Sequence, residues 1–80
     1  MYTVYILRSE QTGSYYYGFT EQDVNDRVQE HNDEKSSYTK KYRPWKLIWF
    51  AVFQTKKQAQ DFETYLKTPS GHAFSRKRLI

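Results

Sequence analysis

At 80 residues the chain sits near the size at which one apolar core only just outweighs chain entropy, so we expect a single domain spanning 1–80. It has no cysteine, which removes disulfides and thiolate metal sites, leaves packing to 5 Phe, 2 Trp and 8 Tyr residues, and fits a cytoplasmic protein. The formal charge of +4 is modest, and with no basic leader or membrane-length apolar run we expect neither a signal peptide nor a transmembrane helix.

Tyr2 to Arg8 alternates aromatic and β-branched residues and reads as a strand, followed by the polar turn Ser9-Glu10-Gln11-Thr12-Gly13. Ser14 to Phe19 completes an antiparallel hairpin, with Tyr16 and Gly18 on one face and Tyr15, Tyr17 and Phe19 on the other. Glu21 to Asn32 reads as a helix, capped by Thr20 with Asp23 three residues on. A basic loop leads to Arg43-Pro44, which requires extended backbone before the next element. The apolar run Leu47 to Phe53 predicts a central strand covered on both faces. Thr55-Lys56-Lys57-Gln58 is a capping box, and Ala59, Phe62 and Leu66 form the buried stripe of the helix that follows. Thr68-Pro69-Ser70-Gly71 ends that helix, and His72 to Ile80 predicts a short terminal helix anchored by Ala73, Phe74 and Leu79 or Ile80. The order β-β-α-β-α, followed by this short terminal helix, predicts an α+β domain with a small three-stranded antiparallel sheet flanked by helices.

Within the first helix, Val24, Arg27, Val28 and His31 share one face. An arginine and a histidine on the face that must pack are costly unless an anion or a hydrogen-bonding group meets them. Charge is also divided along the chain. Glu21, Asp23, Asp26, Glu30, Asp33 and Glu34 surround Arg27, whereas Lys35, Lys40, Lys41, Arg43 and Lys46 follow without an acid and alternate with Tyr38, Tyr42 and Trp45. Cations interleaved with flat rings suit a nucleic acid, through phosphate neutralisation and base stacking; a solvated, solubilising loop is the alternative.

Four groups of residues now resemble one family. Thr3-Val4-Tyr5 and Tyr16-Tyr17-Gly18, with residues 6–15 between them, resemble the paired strand motifs of the GIY-YIG nuclease superfamily. The literal motif survives as Tyr5, Tyr16 and Gly18, with Thr3, Val4 and Tyr17 as departures. The resemblance continues through Arg27-x-x-x-His31-Asn32, through Tyr38-Thr39-Lys40-Lys41 with Arg43-Pro44-Trp45-Lys46-Leu47, and through Ala59-x-x-x-Glu63-x-x-x-Lys67. It implies a metal-dependent phosphodiesterase site on a three-stranded antiparallel sheet, like that of small standalone bacterial members and of the incision domain of excision-repair nucleases.

On that resemblance the site residues are Tyr5, Tyr16, Arg27, His31 and Glu63. Glu63 would ligate one divalent ion, Mg²⁺ ahead of Mn²⁺, and its ordinary alternative is an ion pair with Lys67. Arg27 would clamp a phosphate, against a salt bridge to Asp23 or Glu30. His31 would hydrogen-bond the attacking water or a tyrosine and share in proton transfer near neutral pH. Tyr5 or Tyr16 would be the general base, its pKa lowered by Arg27 or the metal; cross-strand packing is the commoner role for such residues. Gly18 would keep space beside Tyr16 for the metal or Arg27. Tyr38, Lys40, Lys41, Arg43 and Lys46 would hold DNA, while Trp45 anchors the loop to the core. Some family members carry a supporting asparagine near the carboxy terminus, a place that is either unfilled here or taken by Asn32, His72 or Ser75. The resulting expectation is a DNA endonuclease, structure-selective and connected with repair or recombination, with RNA and oligomeric state left open. The alternatives are a non-catalytic nucleic-acid-binding module of the same fold and a basic protein-interaction domain.

Overall fold

The computed structural model describes residues 1–33 and 37–80, the side chains of Ser37 and Tyr38 excepted. The elements are β1 (Tyr2–Ser9), β2 (Tyr15–Thr20), α1 (Val24–Asn32), α2 (Ser37–Lys40), β3 (Trp45–Phe53), α3 (Lys56–Leu66) and α4 (Pro69–Arg78). The strands form a three-stranded antiparallel sheet in the order β2-β1-β3, flanked by the helices as the α+β reading expects.

Strand β1 is the central one because both of its faces are covered. Val4 and Ile6 point to Ala59 and Leu66 of α3, while Tyr5 and Leu7 point to Val24 of α1 and to Trp45. The apolar run of β3 does not mark a central strand: β3 lies at the sheet edge, with Phe50 49% and Val52 52% exposed. Apolar character reports how much a strand can bury, and here neighbouring helices decide how much it does. A register shift leaves Ile48 between the pairs Ile6↔Trp49 and Leu7↔Leu47, so Ile48 and Trp49 both reach the α3 side.

Helix α1 begins later than its composition predicts. Its cap is Asp23, which accepts from the backbone N–H groups of Asn25 and Asp26 at 2.8 and 3.3 Å, while Thr20 accepts from Gln22 in the preceding turn. The capping box of α3 forms as expected on its serviceable half, with Thr55 Oγ1 accepting from Gln58 N. Helix α4 starts at Pro69, not at His72, because Thr68 caps it and proline suits a first helical turn. Gly71 then lies inside α4, where a Cβ would overlap the Tyr65 carbonyl oxygen and stand 2.6 Å from Leu66 Cα, so its absence lets α4 close onto the end of α3. Of the expected anchors of α4, Leu79 packs against the α3-side core and the partly exposed Phe74 ring lies 6.5 Å from Phe62 and 6.1 Å from Tyr65, whereas Ala73 is exposed and Gly71 and Ser75 are the buried residues.

The short helix α2 lies in a segment that reads as loop, because four residues carry no periodicity to detect. Its end is fastened to β3: Trp45 Nε1 donates to the Thr39 carbonyl at 2.7 Å. Asn32 holds the same residue from α1, accepting from Trp45 N at 2.7 Å and donating to Trp45 O at 3.2 Å. Trp45 is therefore the core anchor that its sequence context predicts.

Candidate active site

The stripe Val24, Arg27, Val28, His31 faces the sheet, and its two polar members find polar partners there. His31 has no exposed surface. Its Nε2 lies 2.9 Å from the Tyr5 hydroxyl and its Nδ1 lies 3.0 Å from Thr39 Oγ1. An imidazole left unpaired at this depth would destabilise the fold by roughly 1–3 kcal/mol, and two hydrogen bonds remove that penalty. Tyr16 completes the group from β2, its ring centroid 4.9 Å from that of His31 and 6.4 Å from that of Tyr5.

Gly18 explains how Tyr5 reaches this place. Tyr5 and Gly18 are cross-strand partners, and the Tyr5 ring lies over the glycine: a Cβ there would overlap Cζ and the hydroxyl oxygen and stand 2.8 Å from Cε2. The space that glycine leaves is thus filled by Tyr5, which corrects the expectation that it serves the metal or Arg27. Crossing β2 in this way carries the hydroxyl toward the sheet edge.

Arg27 and Glu63 act on that hydroxyl from two different layers. Burial is the largest influence on Tyr5 and pushes its pKa up to about 12; the Arg27 cation pulls against it by charge and hydrogen bonding, and Tyr16 and the Glu63 carboxylate add to the rise. His31 moves the other way, down to about 4, first because it is buried and then because Arg27 is cationic, with Glu30 opposing. At neutral pH the pair is therefore a phenol and a neutral imidazole. This corrects the expectation of a histidine titrating near neutrality and of a tyrosine with a lowered pKa: Arg27 does favour the phenolate, but burial outweighs it.

Both ordinary ion pairs also form. Arg27 Nη1 stands 2.9 Å from Glu30 Oε1, and Lys67 Nζ stands 3.1 Å from Glu63 Oε2. The Glu63 side chain keeps 21% of its surface exposed, and its lysine partner is more exposed still, so the carboxylate remains open to solvent on one side. Among the described residues no group of three or more His, Cys, Asp or Glu side chains gathers as a metal site, and no enclosed pocket forms. A single, partly exposed carboxylate fits a hard ion that keeps most of its waters, and does not fit a stripped, protein-caged one.

Of the residues assigned to nucleic-acid binding, Lys40, Lys41 and Lys46 are exposed along the α2 to β3 connection, and Arg43 is half-buried with Nη1 3.5 Å from the Asn32 carbonyl. The Tyr38 side chain lies outside the described residues. None of Asn32, His72 or Ser75 joins the Tyr5 group by a hydrogen bond. Asn32 is spent on Trp45, while His72 stacks on Tyr17 at 5.3 Å and Ser75 Oγ lies 3.2 Å from the Tyr17 hydroxyl on the α4 side. Thr39 is the residue that sequence reasoning missed: it holds His31, yet nothing in the basic stretch distinguishes it from its neighbours.

Residues 1–77 match the family model described as the GIY-YIG catalytic domain. The chain belongs to the GIY-YIG family. It is 41% identical over 64 residues to the UPF0213 protein YazA of Bacillus subtilis, covering 79% of this chain and 63% of that protein, so it spans less than two thirds of that relative's length. A UPF0213 protein of Staphylococcus aureus (strain Mu3) is 39% identical over 66 residues, covering 81% of this chain and 78% of the relative. The solution NMR structure of a UPF0213 protein from Bacillus halodurans superposes with a TM-score of 0.58 at 28% identity, covering 98% of this chain and 85% of that one. The family is of nuclease type, and no helix among the described residues is long and apolar enough to cross a membrane.

Proposed function

We propose that this GIY-YIG domain is a metal-dependent endonuclease that hydrolyses DNA phosphodiester bonds, with Tyr5, Tyr16, Arg27, His31 and Glu63 as its site and Mg²⁺ or Mn²⁺ as the ion. The observation that carries the reading is that His31 and Arg27 of α1 and Tyr16 of β2 surround one phenol of β1, Tyr5, whose hydroxyl also feels the Glu63 carboxylate of α3. Such convergence is not needed for folding, since a leucine stripe on α1 would pack at lower cost.

Each residue has a distinct task. Arg27 keeps its charge despite burial, because Tyr5 and Glu30 stabilise the cation, and its fork of donors suits phosphoryl oxygens whose negative charge grows during attack. Proton uptake from the attacking water falls to Tyr5 or Tyr16 in its phenolate form, a form that Arg27 favours at Tyr5 against burial, with Tyr16 half-buried and Tyr5 almost fully so. Neutral His31 fixes the Tyr5 hydroxyl in place. Glu63 would hold the divalent ion, which when bound supplies Lewis acidity at the phosphate. Lys40, Lys41, Arg43 and Lys46 neutralise flanking phosphates; a domain of this size has little surface for reading bases, so structure preference exceeds sequence preference and suits repair or recombination intermediates.

The test compares wild type with Glu63→Gln and Arg27→Ala on nicked, flapped, branched and plain duplex DNA, with and without Mg²⁺. Metal-dependent cleavage that both variants abolish supports the reading. Binding without cleavage on every substrate makes the domain a binding module.

A further inference from the structure

The chain of contacts does not end at His31. Its second nitrogen meets Thr39 Oγ1 at 3.0 Å, and Thr39, like His31, has no exposed surface. Thr39 is itself fixed, because its carbonyl accepts from Trp45 Nε1 at 2.7 Å and from Tyr42 N at 3.2 Å. A neutral imidazole donates from one nitrogen and accepts at the other, so whichever role Thr39 takes decides what Nε2 offers to Tyr5. Beside the Tyr5 oxygen stands Arg27, whose guanidinium has donors only and cannot take the phenol proton. That proton needs an acceptor, and His31 Nε2 lies 2.9 Å away.

We propose that Thr39 is a positioning residue whose Oγ1 accepts a hydrogen bond from His31 Nδ1–H, leaving Nε2 unprotonated to accept a hydrogen bond from the Tyr5 hydroxyl. The proposal deepens the nuclease reading and rests on it for its kinetic consequence. It also gives the basic segment a second task. Thr39 directly precedes Lys40 and Lys41, so the stretch that meets phosphate is the stretch that sets the histidine tautomer and, through it, the direction of the Tyr5 hydroxyl. The tyrosine oxygen then keeps its lone pairs for Arg27 and for water.

The test reads the His31 ring nitrogens by ¹⁵N NMR in the intact protein at neutral pH, together with steady-state cleavage. In wild type, Nδ1 protonated and Nε2 unprotonated is expected; the opposite tautomer overturns the proposal without any variant. Thr39→Val, which keeps the shape but removes the oxygen, should raise the protonated fraction of Nε2. It should also lower kcat by roughly tenfold to a hundredfold with little change in KM, the range typical of groups that orient an active-site residue. Thr39→Ser should restore both. An unchanged tautomer with unchanged kcat in Thr39→Val, or a rise in KM alone, overturns the proposal. Should Thr39→Val fail to fold, the wild-type tautomer and the Thr39→Ser variant still decide it. Absence of cleavage by wild type would refute the nuclease reading, while the tautomer would still judge Thr39.

Discussion

The Tyr5 hydroxyl and His31 Nε2 stand 2.9 Å apart across 26 residues of sequence, buried at the centre of the candidate site. Everything else in the site is arranged about that pair. Gly18 makes room for the ring, Thr39 holds the far side of the imidazole, and Arg27 favours a phenolate that burial, Tyr16 and Glu63 disfavour.

Gly18→Ala tests the space. Its Cβ would overlap a ring that is buried and hydrogen-bonded, and so unable to swing aside freely. The expected cost is about 1–3 kcal/mol of stability, the range for overpacking, with cleavage reduced beyond what that destabilisation explains. Urea denaturation alongside a cleavage assay measures both. An alanine variant with wild-type stability and rate would remove Tyr5 from its assigned place.

The His31 environment predicts a pH dependence of stability. Its pKa in the folded protein, about 4, lies below the ordinary value of 6.5, so the unfolded chain binds more protons between those limits. This contribution is fully present above pH 6.5 and is lost as pH falls toward 4. Thermal unfolding across that window should show the decline, and His31→Gln should flatten it.

Arg27→Ala should raise the His31 pKa, since the guanidinium is the second cause of its depression, while the Glu30 carboxylate that favours the imidazolium remains. Titration of the His31 ring by NMR gives the shift directly. A lowered or unmoved value would mean that Arg27 does not face the imidazole.

Lys40, Lys41 and Lys46 predict salt-dependent binding. Replacing each by Gln should weaken affinity for all DNA sequences alike and reduce the slope of log K against log salt by roughly 0.9 for each duplex phosphate that is no longer neutralised. Fluorescence anisotropy over a salt series measures the slope. An unchanged slope in the triple variant would place the DNA elsewhere.

Much of this was legible in the sequence because it follows from spacing. Arg27 and His31 at i and i+4 betrayed a polar face on α1, and alternation along β2 placed Tyr16 and Gly18 together. What stayed hidden depends on contacts between distant segments. The apolar run of β3 could not reveal that β1, not β3, would be covered on both faces. Nor could a reference pKa foresee how far burial outweighs Arg27 at Tyr5. Thr39 was invisible because its task is defined by a single hydrogen bond to a residue of another helix. Gly71 read as a helix breaker, yet it serves the close approach of α4 to α3 from inside a helix.

The most direct measurement is single-turnover cleavage of labelled DNA in Mg²⁺ by wild type, Tyr5→Phe and Glu63→Gln, with binding measured in parallel. Both variants should bind DNA as wild type does, since the basic segment is intact, and both should cleave at least about a hundredfold more slowly, the loss typical of removing one group that stabilises the transition state. Wild-type rates in either variant would contradict the claim that these side chains converge on one phosphodiester-cleaving site.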